Sequence, residues 1–304
     1  MGSKWLQLSV EAPQEYVEPL SHIFTRYGQG VSVEIVGGFN PDEGEEEPQV
    51  GQTAIIRTYL PVDSTTKASQ SYIDVGVRLV AKVAPISSLM VRTLDEEEWE
   101  NAWKKTFFVL HIGKRIVIRP TWRPYYPECD EIIVDLDPGM AFGTGHHPTT
   151  RMCLLELERL VIPGKKVLDV GTGSGILAIA AAKLGASEVL AIDIDPIAIN
   201  VAKQNVTDNG VANIVDLKLG ASVFNSVNMG SYELVLANIS AKVTIDLAEN
   251  IVNCIKPGGY LVVSGVIAEK ETEVSAILSK TGLTIETINK EDDWIAFTAF
   301  KPDY

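Results

Sequence analysis

The sequence predicts an α/β protein whose larger, C-terminal part is a doubly wound, mostly parallel sheet, with a smaller α+β domain in front of it. Three observations carry that expectation. From Lys165 to Gly265 apolar strand-like runs alternate with helical patterns, as in a parallel sheet covered by helices on both faces. Residues 1–93 show a different order, strand, helix, strand, strand, helix, strand. Between them in importance stands Val167 to Gly175, V-L-D-V-G-T-G-S-G, where a buried strand passes through three glycines straight into an Ala-rich helix, the kind of turn at which such sheets bind ligands.

Trp5 to Val10 alternates apolar and polar residues like an edge or half-buried strand, and Gln14 to Tyr27 then carries Val17, Leu20, Ile23, Phe24 and Tyr27 at helical spacing. Gly28 and Gly30 stop that helix. Val31 to Val36 and Thr53 to Tyr59 read as the next two strands, Asp63 as the cap of a helix running to Val83, and Leu89 to Leu94 as a fourth strand. This order is the split, ferredoxin-like arrangement. Asp42 to Glu47 holds five carboxylates between Pro41 and Pro48, which reads as a solvated loop in preference to a docking site for a basic protein.

Asp95 to Lys105 starts acidic, ends basic and places Trp99 and Trp103 four apart, as suits a helix aligned with its own dipole. The domains expected are therefore 1–93, a linker helix 94–106, and 107–304. Gly113 to Pro120 and Glu131 to Leu136 read as strands around the Pro-rich stretch Thr121 to Pro127. Asp137 to Arg151, D-P-G-M-A-F-G-T-G-H-H-P-T-T-R, is too rich in Gly and Pro for regular structure, and it leads into a helix at Met152 to Leu160. Beyond it come the strands Lys166 to Val170, Glu188 to Ile192, Ile214 to Leu219, Tyr232 to Ala237 and Tyr260 to Gly265. Helices are expected at Gly175 to Leu184, Pro196 to Asn209 and Ala241 to Cys254. Thr284 to Asn289 and Trp294 to Phe300 close the chain as a hairpin.

The 304 residues are 46% hydrophobic and 22% charged, a globular composition long enough for two domains. A net charge of −14 argues against a general grip on nucleic acid, which wants a basic face, and favours a cationic partner. The three cysteines show no C-x-x-C spacing, so neither a disulfide framework nor a metal site is indicated. There is no long apolar run, so a soluble cytoplasmic protein, off the membrane and monomeric, is expected.

A nicotinamide dinucleotide would need the fingerprint G-x-G-x-x-G, whose third glycine falls on Ile176; here the glycines run 171, 173, 175. S-adenosylmethionine is the better fit. Asp193, ending the second strand of this half, can accept both ribose hydroxyls, and Asp195 caps the helix that starts at Pro196. Asn238 follows the apolar strand L-V-L-A at its carboxyl end, beside the same crevice. Methyl transfer to an amine is an in-line displacement that requires a neutral nitrogen lone pair opposite the sulfonium methyl. Orientation of this kind is worth up to about 7–11 kcal/mol. Presenting the neutral form at pH ~7.5 costs about 4 kcal/mol for a lysine and under about 1 kcal/mol for a terminal α-amine. A side-chain amide oxygen such as that of Asn238 can accept the amine's N–H and aim its lone pair.

Four stretches together resemble one family. They are D-P-G-M-A-F-G-T-G-x-H-P-T-T at Asp137 to Thr150, V-L-D-V-G-T-G-S-G-I-L-A-I-A-A at Val167 to Ala181, I-D-I-D-P-x-A-I at Ile192 to Ile199, and A-N-I at Ala237 to Ile239. The chain is similar over essentially its whole length to the bacterial ribosomal protein L-eleven methyltransferases. That resemblance implies a seven-stranded class I methyltransferase sheet and S-adenosylmethionine-dependent methylation of the α-amine and lysine ε-amines of a basic large-subunit ribosomal protein, gripped by the N-terminal domain. It implies that Thr150, Gly171, Asp193 and Asn238 bind the cofactor, that Asp169 and Gly173 face its methionine end, and that the loop Phe142, Gly143, Thr144, Gly145 folds over it. Asn238 would also orient the acceptor amine. His146 fills the variable slot of the first motif, so the His-His pair is not expected to hold a metal. Ser240 stands where an apolar residue is expected. The alternatives are a methyltransferase of another protein or small molecule on the same core, and a non-catalytic ribosome- or RNA-binding adaptor. Against the adaptor, residues 1–93 lack the aromatic strand with which RNA-recognition modules stack bases.

Overall fold

The computed structural model describes residues 4–35, 53–95, 108–137, 145, 147–160, 163–220, 224 and 229–303. The chain divides into two compact units, Met1–Phe107 and Phe108–Tyr304. The acidic run Asp42 to Glu47 and nearly all of the linker helix expected at 94–106 lie outside the described residues.

In the first unit, β1 (Trp5–Pro13), β2 (Gln29–Ile35), β3 (Thr53–Pro61) and β4 (Met90–Leu94) form an antiparallel sheet in the order β2-β3-β1-β4. Trp5 pairs with Pro61 on one side and with Leu94 on the other. Side chains alternate across a strand, so Leu8, Val10 and Ala12 of β1 share a face with Ala54 and Ile56 of β3. On that face α1 (Val17–Tyr27) lays Leu20 and Phe24, and α2 (Thr66–Val80) lays Ile73 and Val77. Both helices start later than their sequence patterns. Gln14–Tyr16 forms a single 3-10 turn before α1, and Pro19 then falls in the first turn, where its missing N–H costs nothing. Asp63 does not cap α2 directly. Its Oδ1 accepts from the Thr65 N–H at 2.7 Å and the Thr65 hydroxyl at 2.6 Å, ordering the turn that feeds the helix.

The second unit opens with a small sheet of β5 (Leu110–Ile112), β6 (Ile116–Arg119) and β7 (Ile132–Asp135). The single strand expected at Gly113 to Pro120 is instead the second arm of a hairpin, because Gly113, at φ +67°, turns the chain between β5 and β6. The main sheet contains β8 (Lys166–Val170), β9 (Glu188–Asp193), β10 (Val215–Leu219), β11 (Tyr232–Asn238), β12 (Ile255–Ile267), β13 (Thr284–Glu291) and β14 (Trp294–Phe300). Its order is β10-β9-β8-β11-β12-β14-β13. The first five run parallel, and β14 is antiparallel to both neighbours. This is a seven-stranded mixed sheet with helices on both faces. On one face pack α3 (Pro148–Leu160) and α4 (Ile176–Lys183), with Val167, Leu154, Leu157 and Ile179 in one core. The other core joins Leu168 and Val170 to α6 (Ala241–Cys254) and α7 (Glu271–Lys280), and α5 (Pro196–Asp208) follows β9. Helix α4 is buried from Ile176 to Ala182, and its alanines let it lie close to the sheet. The sequence pattern does not reveal α7, and no described helix is long and apolar enough to cross a membrane.

Candidate functional site

The strand order reverses between β8 and β11, and ligands of open parallel sheets bind outside the carboxyl ends of the strands at that point. Asp169, Gly171, Gly173, Asp193 and Asn238 lie at or next to those strand ends, and Thr150 joins them through Asn238. After β8 the backbone enters Gly171, Gly173 and Gly175 at φ +74°, +56° and +85°, a region that residues with a Cβ enter at a cost. The Ile192 carbonyl at the end of β9 accepts the N–H groups of Gly171 at 2.8 Å and Thr172 at 3.0 Å, which ties the turn to the neighbouring strand. Gly175 is the cap residue of α4 and brings no side chain to its first-turn N–H groups, of which that of Ala178 bonds the Asp169 carboxylate. A Cβ at Gly171 would collide with the Ile239 side chain, next to Asn238. The φ strain alone is about 1–2 kcal/mol for an L-residue. Gly171→Ala is therefore expected to weaken S-adenosylmethionine binding about tenfold by calorimetric titration; an unchanged dissociation constant would show that the turn tolerates a side chain.

Asp193 ends β9 half-buried. Its Oδ2 accepts the Gly173 N–H at 2.9 Å and its Oδ1 the Asp195 N–H at 3.0 Å. Each oxygen keeps a second lone pair for a ribose hydroxyl. Asp195 is the N-cap of α5, with Oδ1 accepting from Ile197 at 2.8 Å. Asp169, one strand inward, is fully buried on the face covered by α3 and α4. Its Oδ2 accepts the Thr172 hydroxyl at 2.7 Å, while Oδ1 has no hydrogen-bond partner among the described residues. Burial pushes this carboxyl up to about 7, and the nearby charge of Asp193 adds in the same direction.

Asn238 closes β11, paired with Ser264 of β12. Its Nδ2 donates to the Thr150 hydroxyl at 3.3 Å, and its Oδ1 is buried without a partner among the described residues. A buried acceptor left open in this way costs free energy unless something fills it. Thr150 is itself buried in the first turn of α3, with its N–H on the His147 carbonyl at 3.0 Å. Burial holds His147 below the usual histidine range; its Nδ1 accepts the Thr149 N–H at 3.3 Å and lies 2.7 Å from the Thr149 hydroxyl. That ring also meets Trp294 edge-on, with centroids 4.8 Å apart. Ser240 stands at the N-cap position of α6 without a side-chain cap hydrogen bond, and it is exposed, so a polar residue is tolerated where an apolar one is expected.

Phe142, Gly143, Thr144 and His146 lie outside the described residues. Among the described residues no cluster of three or more His, Cys, Asp or Glu could hold a metal. Thr172, Ser264 and Gly265 belong to the site but were not singled out beforehand. The Ser264 carbonyl accepts from Ile239 at 3.1 Å, and a Cβ on Gly265 would sit 2.5 Å from the Ile239 carbonyl oxygen. The small pair S-G after the apolar run Tyr260 to Val263 was the available signal.

The family model described as ribosomal protein L11 methyltransferase matches residues 4–302. A protein of that name from Chloroflexus aurantiacus is 42% identical, over 99% of this chain and 99% of its own. Another from Pelotomaculum thermopropionicum is 39% identical, over 97% of this chain and 98% of its own. Among solved structures, a ribosomal protein L11 methylase from Lactobacillus delbrueckii subsp. bulgaricus matches with a TM-score of 0.59 at 33% identity, covering 64% of this chain and 100% of that one.

Proposed function

The chain belongs to the ribosomal protein L11 methyltransferase family, and on that premise we propose that it methylates the α-amine and lysine ε-amines of ribosomal protein L11. The observation that carries this reading is the Thr150–Asn238 pair beside the glycine turn, with the Asn238 Oδ1 buried and open at the carboxyl end of β11. The residues present suit S-adenosylmethionine. Gly171 and Gly173 leave the backbone bare, Asp193 offers lone pairs toward a ribose, and Asp169 supplies a buried carboxyl near the foot of the turn. The cofactor is S-adenosylmethionine, which when bound supplies an electrophilic methyl for in-line displacement.

Asn238 Oδ1 accepts an N–H of the neutral acceptor amine and aims its lone pair, while the Thr150 hydroxyl keeps the amide from rotating. The first unit is ferredoxin-like and binds the protein substrate, a reading supported by the β2-β3-β1-β4 order with both helices on one face. A net charge of −14 suits a basic partner in the cytoplasm and not a direct hold on RNA by this monomeric chain.

Mass spectrometry of purified L11 after incubation with the protein and S-adenosylmethionine tests this directly. Whole-methyl mass increments on L11, mapped to its N-terminal residue and to lysines, are expected. No increment, or label spread over several ribosomal proteins, would overturn the reading and favour another substrate on the same core.

A further inference from the structure

Helix α3 turns two buried polar side chains to the main sheet, Thr150 and Glu156, set among Cys153, Leu154 and Leu157 of the core. Thr150 reaches Asn238 on β11. Glu156 reaches the far edge of the sheet. Only 8% exposed, it accepts from the Thr298 hydroxyl of β14 at 2.9 Å and from the Asn289 amide of β13 at 3.1 Å. Two N–H groups of Arg159 reach its Oε2, at 3.0 and 2.8 Å.

Burying a carboxylate with its donors is a poor way to hold a helix down, because replacing such a network as a whole by apolar side chains of similar volume is often neutral or stabilising. What the carboxylate provides is register. Leucines tolerate small slides of a helix along an apolar sheet, whereas an acceptor engaged by donors from two strands is satisfied in one position only. An α-helix is a stiff rod, and Glu156 lies about 9 Å along its axis from Thr150. A slip at Glu156 is therefore carried to the hydroxyl that holds the Asn238 amide. We propose that Glu156 is a positioning residue for methyl transfer, fixing α3 on the β13–β14 hairpin so that Thr150 presents Asn238 to the acceptor amine. The inference rests on the reading of Asn238 given above.

The test is a double-mutant cycle. Glu156→Leu and Glu156→Gln are made alone and in an Asn238→Ala background, and kcat on L11, S-adenosylmethionine affinity and melting temperature are measured. Glu156→Leu is expected to lower the melting temperature, because it strands the buried Thr298 hydroxyl and the Asn289 amide, and to keep cofactor affinity close to wild type while kcat falls roughly tenfold. Glu156→Gln, which keeps an acceptor oxygen, should recover most of that loss. With Asn238 already removed, Glu156→Leu should cost nothing further. An unchanged kcat for Glu156→Leu, or a loss that multiplies with that of Asn238→Ala, overturns the proposal. Should Glu156→Leu not fold, Thr298→Val with Asn289→Ala removes two donors and leaves the carboxylate on Arg159, and the same cycle is read. A wild type that leaves L11 unmodified overturns the functional reading as well. An active wild type with an additive cycle overturns this inference alone.

Discussion

Replacing Asn238 by alanine lowers kcat about a hundredfold while the dissociation constant for S-adenosylmethionine stays within a few fold of wild type, because misplacing reacting groups by about 1 Å costs on the order of 10²-fold. The ground for separating the two effects is the state of each end of the amide. Nδ2 is already engaged by the Thr150 hydroxyl, whereas the buried Oδ1 has no partner among the described residues. An interaction made only as the amine approaches the methyl is lost from the transition state and not from cofactor binding. Equal losses in kcat and in cofactor affinity would make Asn238 a cofactor ligand only. Asn238→Asp sharpens the comparison. A carboxylate still accepts the N–H, and the Thr150 hydroxyl can donate to it, but its negative charge favours the ammonium form of the acceptor. Measured relative to wild type at the same pH, its rate should recover as pH is raised, whereas the ratio for Asn238→Ala should stay flat.

The parts of this site that were legible in the sequence are the local ones. V-L-D-V-G-T-G-S-G announces strand, turn and helix because burial, glycine and alanine each impose themselves over a few residues, and Asp195 before Pro196 announces a cap in the same way. The Thr150–Asn238 bond spans 88 residues, and no local preference records it. Glu156 is hidden for a related reason. In M-C-L-L-E-L-E-R-L a glutamate reads as the solvent face of an amphipathic helix, and the choice between Glu156 and Glu158 as the buried one depends on the β13–β14 hairpin, far along the chain. Helix α7 escapes notice because it buries only Val274 and Leu278 and starts from Lys270 without a side-chain cap. At Gly113 a turn in an apolar neighbourhood reads as the start of a strand, since the residues on both sides are strand-forming and only the positive φ separates them.

Asp169 makes the stability of the protein without cofactor fall as pH rises from about 4 to about 7, and Asp169→Asn removes that fall. The carboxyl titrates near its ordinary value of 3.8 when unfolded and is pushed up to about 7 by burial when folded. Below pH 3.8 both states hold the proton and the group has no effect. Between the two values the unfolded chain releases the proton and the native chain retains it, so unfolding gains up to about 1.4 kcal/mol per pH unit. Above pH 7 the penalty is constant, with a ceiling of about 4 kcal/mol. An asparagine keeps the acceptor for Thr172 and carries no charge at any pH. Thermal melts at pH 5 and pH 8 should therefore show the variant gaining on the wild type at the higher pH, and a gap that does not change with pH would mean that the carboxyl is ionised throughout. Such a penalty persists in a fold only where the charge is useful. S-adenosylmethionine carries a sulfonium and an ammonium, and a carboxylate near the glycine turn is stabilised by their arrival. Binding of the cofactor should accordingly tighten between pH 6 and pH 8 in the wild type and lose that dependence in Asp169→Asn, so one substitution raises the stability of the free protein and weakens its hold on the methyl donor.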